Sequence, residues 1–360
     1  MKAVILAGGF GTRLRPLSCT RPKSLFPILN KPLLQWTFEK LAKSGVKYII
    51  MAVSRQTRFQ IKSFNVDAGE LKIVYSCDPP KKPLGTGGPV KKAEKFIGAE
   101  DFLVVNGDIF TSLDYSEIAK FHKEKKAVAT IALCRVDDPS RFGVAELTEN
   151  GRIKKFIEKP PLGKAPTNLI NAGVYVLSPE IFRYIPKGRK VSMEREIFTR
   201  LAEEGGLYGY VFSGLWTDIG RVEDYLKLNR VLLDSHFFEK KIVGSNENIR
   251  EPVIIEGRPH IGKFSIIGPH VVLGRNVKIG KHVHVENSVI FPEASIADYA
   301  SISGVVIGEK AVIGKNVKIE ENCVIGDYAV IRDNIFLAKG VSVCPAKEVS
   351  ENITASRCVM

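Results

Sequence analysis

A repeat with a period of six residues occupies the last third of the chain. Aliphatic or similar residues recur at positions 255, 261, 267, 273, 279, 285, 291 and 297 and, after a change of phase at residues 303–306, at positions 307, 313, 319, 325, 331, 337 and 343. Glycine often follows them, as in Ile261-Gly262 and Ile325-Gly326. Such a period predicts a β-helix with three repeats to a coil and the aliphatic side chains stacked inside. We therefore expect a left-handed parallel β-helix over residues 255–360, with about five coils.

The first 235 residues have a different pattern, in which apolar segments alternate with helical ones. The apolar segments predict buried strands at residues 4–6, 48–53, 71–75, 102–105 and 129–133, and the segments between them predict helices at residues 32–44, 56–64, 85–96 and 116–123. This alternation is typical of a mostly parallel sheet with helices on both faces. We predict an α/β, Rossmann-like domain over residues 1–235, a linker over residues 236–254, and the β-helix domain after it.

A glycine-rich turn follows the first predicted strand, at the edge of the sheet where such folds bind their ligands. Its sequence is Gly8-Gly9-Phe10-Gly11-Thr12-Arg13-Leu14-Arg15-Pro16, and Arg21-Pro22-Lys23-Ser24-Leu25 follows soon after. Glycines let the backbone approach a ligand closely, and their N–H groups can converge on an anion. Arg13, Arg15 and Lys23 add positive charge. The combination predicts a site for a phosphate-rich ligand.

Two better-known glycine loops do not fit this turn. A Walker A loop needs a lysine directly after its last glycine, and none stands there. A dinucleotide-binding loop needs a third glycine where this chain has Leu14. A plain tight turn has no use for three clustered cations, so we favour a functional loop.

Net charge is compatible with a polyanionic ligand. The chain carries a formal net charge of +14, almost all of it within residues 1–240. Nucleic-acid binding is one interpretation of this bias, but the sequence has no basic helix and no basic strand interleaved with aromatic residues. A small polyanionic substrate explains the excess at least as well. We expect no nucleic-acid partner.

The cysteines and the apolar segments indicate the compartment. Six cysteines stand at positions 19, 77, 134, 323, 344 and 358 without a Cys-x-x-Cys pair, which argues against a zinc site or a disulfide scaffold. No apolar run is long enough to cross a bilayer, and the first strand is too short for a signal peptide. We expect a cytoplasmic protein with no membrane partner.

The glycine-arginine motif at residues 8–16, together with Pro22-Lys23-Ser24-Leu25, resembles the N-terminal motif of the nucleotide-sugar pyrophosphorylases. These are nucleotidyltransferases that act on sugar 1-phosphates. Further motifs resemble those of the family in the same order, around Asp108, Gly143, Lys159, Asn171 and Asp218. The resemblance covers essentially the whole chain, including the β-helix. It implies in-line attack of a sugar 1-phosphate on the α-phosphorus of a nucleoside triphosphate, which gives a nucleotide sugar and pyrophosphate.

Such a reaction brings together two anions that repel each other, so it needs positioning, cations and a metal rather than a protein nucleophile. Mg²⁺ is expected, held by one or two carboxylates and by phosphate oxygens. The resemblance implies that Asp108 and Asp218 hold this metal and that Arg13 and Lys23 are the catalytic cations. Without the resemblance, Asp108 could belong to an ordinary Asn-Gly-Asp turn and Asp218 could be a helix-end residue.

The resemblance also implies two sets of binding residues. The nucleotide would be bound by Leu6, Ala7, Gly8, Gly9, Gly11, Thr12, Gly85, Thr86 and Asp108. The sugar phosphate would be bound by Gly143, Glu158, Lys159 and Asn171.

One segment bears on the choice of base. Leu84-Gly85-Thr86-Gly87-Gly88-Pro89 resembles the Leu-Gly-Thr-Ala-Gly-Pro segment of GDP-mannose pyrophosphorylases, with Gly87 in place of alanine. Its backbone and small side chains suit close packing against a purine ring, so we expect GTP and mannose 1-phosphate. UTP, dTTP or ATP with glucose 1-phosphate or another sugar phosphate is the alternative, because Gly107 also stands where that group often has serine.

The β-helix has two alternative roles to weigh. Catalytic β-helices of this type resemble acyltransferases and need a histidine base. Four histidines in this region stand at turn-like or outward positions of the repeat, namely His260, His270, His282 and His284. No long loop interrupts the coils near them, so we expect a platform for homo-oligomerisation and for packing against the catalytic domain.

A non-catalytic regulatory or scaffold paralogue is a further alternative. Such chains usually lose the loop cations or the aspartates. This chain keeps both sets, Arg13, Lys23, Asp108, Lys159 and Asp218, which favours an enzyme.

Overall fold

The computed structural model of the 360-residue chain describes residues 1–9, 11, 14–79, 84–235 and 248–360. Thr12 and Arg13 of the predicted site, and residues 236–247 of the predicted linker, lie outside the described residues. The chain forms two compact units. One contains Met1–Gly9 and Leu33–Thr217, and the other contains Phe10–Pro32 and Asp218–Met360.

A nine-stranded sheet forms the centre of the first unit. The order along the sheet is Ile153–Glu158, Gly143–Leu147, Leu169–Leu177, Phe102–Asn106, Lys2–Leu6, Tyr48–Val53 and Lys72–Cys77, while Ala129–Arg135 pairs with both Leu169–Leu177 and Leu207–Val211. The four strands from Phe102–Asn106 to Lys72–Cys77 are parallel, and Leu169–Leu177 runs antiparallel to its neighbours. The parallel strands are rich in valine, isoleucine and leucine, as strands buried on both faces require. The predicted Rossmann-like sheet is confirmed.

Helices connect the parallel strands at the predicted places. Those of the first unit are Leu33–Lys43, Arg55–Ser63, Gly87–Ile97, Tyr115–Lys125, Ile181–Tyr184 and Thr199–Glu204, with a π-helical turn at Met193–Phe198 and a 3-10 turn at Pro139–Arg141. Two of them begin at side-chain caps, where Ser54 Oγ accepts the Thr57 N–H at 3.0 Å and Asp114 Oδ1 accepts the Ser116 N–H at 2.8 Å. Such caps satisfy N–H groups that have no partner within the helix. Two short strands, Ile109–Thr111 and Trp216–Asp218, form a separate two-stranded sheet.

Three parallel sheets of seven, six and five strands form the β-helix of the second unit. The first consists of Val253–Ile255, Val271–Leu273, Val289–Ile290, Val306–Ile307, Val324–Ile325, Ser342–Val343 and Cys358–Val359. The second consists of His260–Ile261, Lys278–Ile279, Ser295–Ile296, Val312–Ile313, Val330–Ile331 and Glu348–Val349, and the third of Ile266–Ile267, His284–Glu286, Ser301–Ser303, Lys318–Ile319 and Phe336–Leu337. Aliphatic side chains from all three sheets form one buried cluster. This arrangement is consistent with the left-handed β-helix expected from the six-residue period.

Between residues 255 and 343 the repeat changes phase twice, not once. Leu273 pairs with Ile290 and Ile290 with Ile307, spacings of seventeen residues, whereas Ile307 pairs with Ile325, a spacing of eighteen. The interior positions assigned to residues 291 and 297 were therefore wrong, because Ile290 and Ile296 occupy them. Three apolar residues in a row, 289–291, concealed the shorter coil from the sequence pattern.

Corners of the β-helix are formed by residues with positive φ. His270 and His282 are among them, at 56° and 55°, which confirms their predicted turn positions. Asparagine occurs at several further corners, and asparagine is one of the few residue types that adopt this conformation readily. His260 and His284 lie instead on strands.

The second unit also contains a segment from the N-terminal part of the chain. It comprises two 3-10 turns, Leu17–Cys19 and Lys23–Leu25, and a hairpin of Pro27–Ile28 with Lys31–Pro32. The helix Val222–Asp234 belongs to the same unit. Among the described residues of the whole chain, no helix combines the length and the apolar character that crossing a bilayer requires.

Candidate active site

The first strand of the sheet ends where the glycine-rich turn begins. Ala7 N–H donates to Ala52 O at 2.9 Å, and Gly107 N–H donates to Leu6 O at the same distance. These bonds hold Leu6 and Ala7 between the carboxyl ends of the two neighbouring strands. A Cβ added at Gly8 would come no closer than 3.8 Å to another atom, and one added at Gly9 would meet nothing within 4 Å. Packing within the protein therefore does not require glycine at these two positions, whereas close approach of a ligand would.

Asp108 lies at the same edge of the sheet. It follows the strand Phe102–Asn106, and Gly107 comes between them. A Cβ at position 107 would lie 2.9 Å from Ala7 Cβ and 3.1 Å from Leu6 O, so only glycine fits between the two strand ends. The half-buried Asp108 is thus held at the ligand-binding edge by a tight backbone contact.

The segment expected to face the base is fixed by Val191. Gly87 N–H donates to Val191 O at 2.9 Å, and Val191 N–H donates to Leu84 O at 3.0 Å. Gly85 has a φ of 73°, and a Cβ there would lie 2.2 Å from Val191 O. A Cβ at Gly87 would lie 2.9 Å from Val191 Cγ1. Close packing of Val191 thus accounts for both glycines.

Thr86 uses its hydroxyl within the protein. Its Oγ1 donates to Glu194 Oε2 at 2.7 Å and accepts the Met193 N–H at 2.9 Å. Ser192 Oγ also donates to Glu194 Oε2, at 2.7 Å. These bonds tie the start of the helix Gly87–Ile97 to the π-helical turn Met193–Phe198.

Three of the four predicted sugar-phosphate residues lie on two paired strands or directly after one of them. Gly143 pairs with Glu158 in the antiparallel sheet, and a Cβ at Gly143 would lie 2.8 Å from Glu158 Oε2. Lys159 has a φ of 52°, and its Nζ lies 3.7 Å from Glu158 Oε1. Burial raises the pKa of Glu158 above its usual value and the nearby Glu194 carboxylate raises it further, whereas Lys159 opposes this rise. A carboxylate and an ammonium group thus stand side by side here.

Asn171 is oriented by two hydrogen bonds. Its Nδ2 donates to the Tyr175 hydroxyl at 3.0 Å, and its Oδ1 accepts the Gly173 N–H at 2.9 Å. Gly173 has a φ of 71°, and a Cβ there would lie 2.7 Å from Asn106 Nδ2. Tyr175 is fully buried, and burial raises its pKa far above the usual value. The neighbouring strands Phe102–Asn106 and Leu169–Leu177 therefore contribute adjacent amides to the site.

Sequence reasoning missed Glu194, Tyr175 and Trp216 as parts of this region. Trp216 Nε1 donates to Ala172 O at 2.8 Å, and its ring packs edge-to-face on Phe142 with centroids 5.2 Å apart. Glu194 stands outside every motif, so no signal in the sequence could have identified it. Tyr175 lies within the motif that begins at Asn171, and that position was the available signal.

In the second unit, Gly11 and Lys23 are in contact. Gly11 has a φ of 61°, and a Cβ there would lie 3.1 Å from Lys23 Cγ and from Ser18 Cβ. Gly11 O accepts hydrogen bonds from Ser18 Oγ at 2.8 Å and from Leu14 N–H at 2.9 Å. We call residues 14–26 the signature segment. Glycine at position 11 thus leaves room for Ser18 and Lys23 beside it.

Helix and β-helix residues hold the chain that follows Lys23. The Tyr225 hydroxyl donates to Pro27 O at 2.5 Å, and Asn229 Oδ1 accepts the Leu29 N–H at 3.0 Å. Asn30 Nδ2 donates to Leu273 O at 2.8 Å. Tyr225 is fully buried, which raises its pKa well above the usual value.

Asp218, also in the second unit, ends the strand Trp216–Asp218. It is half-buried, and a Cβ at Gly220 would lie 3.1 Å from Asp218 Oδ2. Glycine therefore leaves room beside this carboxylate. Over residues 1–9, 11, 14–79, 84–235 and 248–360, no group of three or more metal-ligating side chains occurs.

Two family models together account for nearly the whole chain. Residues 2–235 match the model described as nucleotidyl transferase, and residues 234–359 match the one described as GMPPB C-terminal domain. The chain belongs to the nucleotidyl transferase family. The resemblance given by the glycine-arginine motif at residues 8–16 is thereby confirmed. So is the enzyme class that it implies, the sugar-1-phosphate nucleotidyltransferases.

Among curated relatives, this nucleotidyl transferase is 38% identical over 278 residues to mannose-1-phosphate guanylyltransferase 1 of Arabidopsis thaliana, which covers 75% of this chain and 76% of that protein. It is 41% identical over 229 residues to the mannose-1-phosphate guanylyltransferase catalytic subunit beta of Danio rerio, covering 63% of each. Among solved structures it is similar to HddC from Yersinia pseudotuberculosis complexed with GMP-PN, with 33% identity and a TM-score of 0.55. That match covers 64% of this nucleotidyl transferase and 99% of HddC.

Proposed function

We propose that this nucleotidyl transferase joins GTP to mannose 1-phosphate, giving GDP-mannose and pyrophosphate. The observation that carries the proposal is the 38% identity, over three quarters of the chain, to a mannose-1-phosphate guanylyltransferase. The similarity to HddC complexed with GMP-PN supports a guanine nucleotide. In this proposal the base binds beside the segment that contains Gly85 and Gly87, which is packed on Val191.

In the proposed mechanism, the backbone at Gly8, Gly9 and Gly11 binds the nucleotide phosphates. Lys23, together with Arg13, neutralises the charge that develops on the departing pyrophosphate. Lys159 binds the phosphate of the sugar, and the mannose hydroxyls are bound by Glu158 and Asn171. Orientation of the two anions for in-line attack then supplies most of the rate.

We propose Mg²⁺ as the cofactor, with Asp108 and Asp218 as its protein ligands. Carboxylate oxygens are the ligands that this ion prefers, and one or two are enough when phosphate oxygens complete the shell. The space that Gly220 leaves beside Asp218 Oδ2 suits such a role. When bound, the metal neutralises phosphate charge.

We also propose that the protein works in the cytoplasm as a homo-oligomer formed through the β-helix. All six cysteines lie in the described part of the chain and are free thiols, as a reducing compartment would keep them. Two exposed aromatic rings on one corner of the β-helix, Phe264 and Tyr299, stack on either side of His282. They offer an apolar surface to a second copy of the chain.

A substrate panel tests the proposed function. GTP, UTP, dTTP and ATP are each combined with mannose, glucose and galactose 1-phosphate and Mg²⁺, and pyrophosphate release is measured. We expect the fastest release with GTP and mannose 1-phosphate. Faster release with UTP or dTTP and glucose 1-phosphate would contradict the guanylyl assignment alone, and no release with any pair would favour a non-catalytic paralogue.

A further inference from the structure

Arg21 is a buried cation in the signature segment. Only 5% of the residue is exposed. Its Nη2 lies 2.7 Å from Glu309 Oε2 and 3.1 Å from Asp327 Oδ2, both on the β-helix. The guanidinium carbon also lies 4.8 Å from the ring centroid of Phe291. A buried guanidinium needs such partners, because an unpaired charge in the interior is costly.

Asp327 holds the signature segment at two consecutive residues. Its Oδ2 accepts a hydrogen bond from Thr20 Oγ1 at 2.6 Å besides facing Arg21. Its Oδ1 accepts the backbone N–H of Glu309 at 2.7 Å. One carboxylate therefore fixes both a turn of the β-helix and the chain that precedes Lys23.

Two other aspartates occupy the same turn position without this second role. Asp298 Oδ1 accepts the Lys281 N–H at 2.8 Å, and Asp333 Oδ1 accepts the Lys315 N–H at 2.7 Å. As with Asp327, each lies against a glycine of the preceding coil. Asp298 is half-buried and Asp333 is exposed, whereas Asp327 is 2% exposed. The turn itself therefore does not require burial of Asp327.

The chain between Arg21 and Lys23 is short and stiff. Pro22 alone separates them, with φ at −68° and ψ at 152°, and the 3-10 turn Lys23–Leu25 begins directly after it. Leu25 N–H donates to Pro22 O at 2.9 Å, and Phe26 N–H donates to Lys23 O at 3.0 Å. A displacement of Arg21 is therefore transmitted to the backbone of Lys23.

We propose that Arg21 is a positioning residue for Lys23, held in place by Glu309 and Asp327 of the β-helix. This inference rests on the proposed function, in which Lys23 neutralises the departing pyrophosphate. The β-helix then contributes to catalysis by holding the signature segment.

Asp327→Asn tests this inference, with Asp298→Asn as the matched control. Asparagine keeps an oxygen to accept the backbone N–H of the turn, but it removes the charge that faces Arg21. We expect Asp327→Asn to lower kcat about 10- to 100-fold, because small displacements of a catalytic group are costly. KM for mannose 1-phosphate and the kcat of Asp298→Asn should stay within about twofold of wild type. Melting temperatures of both variants report whether they fold.

The same substitution in a Lys23→Ala background separates positioning from general damage. Residues that act as a unit have non-additive effects. In the Lys23→Ala background, Asp327→Asn should therefore lower kcat by less than about twofold. An equal loss in both backgrounds, or a kcat equal to that of Asp298→Asn, would overturn the inference. If Asp327→Asn does not fold, Glu309→Gln replaces it as the test variant, because Glu309 is the more exposed partner of Arg21. Arg21→Lys should keep more activity than Arg21→Met. Absence of pyrophosphate release by the wild type would instead refute the proposed function itself.

Discussion

At the scale of single residues, the site depends on polar groups whose neighbours set their chemistry. Glu158 shows this most directly, since burial raises its pKa while Lys159 beside it opposes that rise. Because the folded protein binds this proton more readily than the unfolded chain does, the charged carboxylate lowers stability at neutral pH, and that cost disappears as the pH falls through the raised pKa. A residue kept at such a cost fits a role in binding substrate.

Glu158→Gln should separate these two effects. We expect the variant to raise KM for mannose 1-phosphate about tenfold, because it loses a hydrogen bond to a charged group. Its melting temperature at pH 7 should be higher than that of wild type, and the difference should vanish below the ordinary glutamate range. Melting curves from about pH 3 to pH 8, which span the ordinary glutamate range, and initial rates at pH 7 provide the measurements. A lower melting temperature at pH 7 would contradict this account.

Asp108→Asn should nearly abolish pyrophosphate release. Loss of a carboxylate ligand to Mg²⁺ should reduce kcat by about 100-fold or more, as removal of a principal electrostatic group does. Rates are measured over a range of Mg²⁺ concentrations, with Asp114→Asn as a control, since Asp114 is exposed and caps the helix Tyr115–Lys125. Undiminished activity of Asp108→Asn would refute its role as a metal ligand.

At the scale of elements, local sequence patterns predicted the helices well, but they did not predict contacts between residues far apart in the sequence. The predicted helix at 116–123 is found at Tyr115–Lys125, because its cap and its apolar spacing are local properties. The phase of the β-helix was wrong at residue 291, where a row of apolar residues fitted two registers. Arg21 was in the quoted motif, but its partner Asp327 lies 306 residues away, so the sequence could not reveal that it is buried.

The turn that precedes the helix Gly87–Ile97 allows a matched pair of substitutions. Gly85→Ala would place a Cβ 2.2 Å from the backbone oxygen of Val191, and residue 85 has a positive φ that alanine rarely adopts. The backbone would have to move to relieve this contact. Gly87→Ala meets mainly the Val191 side chain, which can shift. We expect Gly85→Ala to destabilise the protein by about 1–3 kcal/mol and Gly87→Ala by clearly less. Denaturant titrations measure both, and equal effects would contradict the contact argument.

At the scale of the whole molecule, charge is distributed unevenly. The net charge of +14 lies almost entirely in residues 1–240. These residues include all the candidate nucleotide-binding residues and none of the β-helix strands. Such a field attracts polyanions, and salt screens it over about 10 Å at 0.1 M ionic strength. Raising the ionic strength tenfold from about 0.05 M should therefore raise KM for GTP several-fold with a smaller change in kcat. Steady-state rates in sodium chloride test this, and a KM independent of salt would contradict it.

The sequence order of the second compact unit has a consequence for inheritance. Residues 14–32 and the β-helix are separated in the sequence by residues 33–217 of the first unit, and yet they fold together. A genetic exchange that replaced the β-helix alone would place another protein's residues against Arg21 in place of Glu309 and Asp327. Recombinants between relatives should therefore survive mainly when both segments come from the same parent, so the two segments are expected to evolve together.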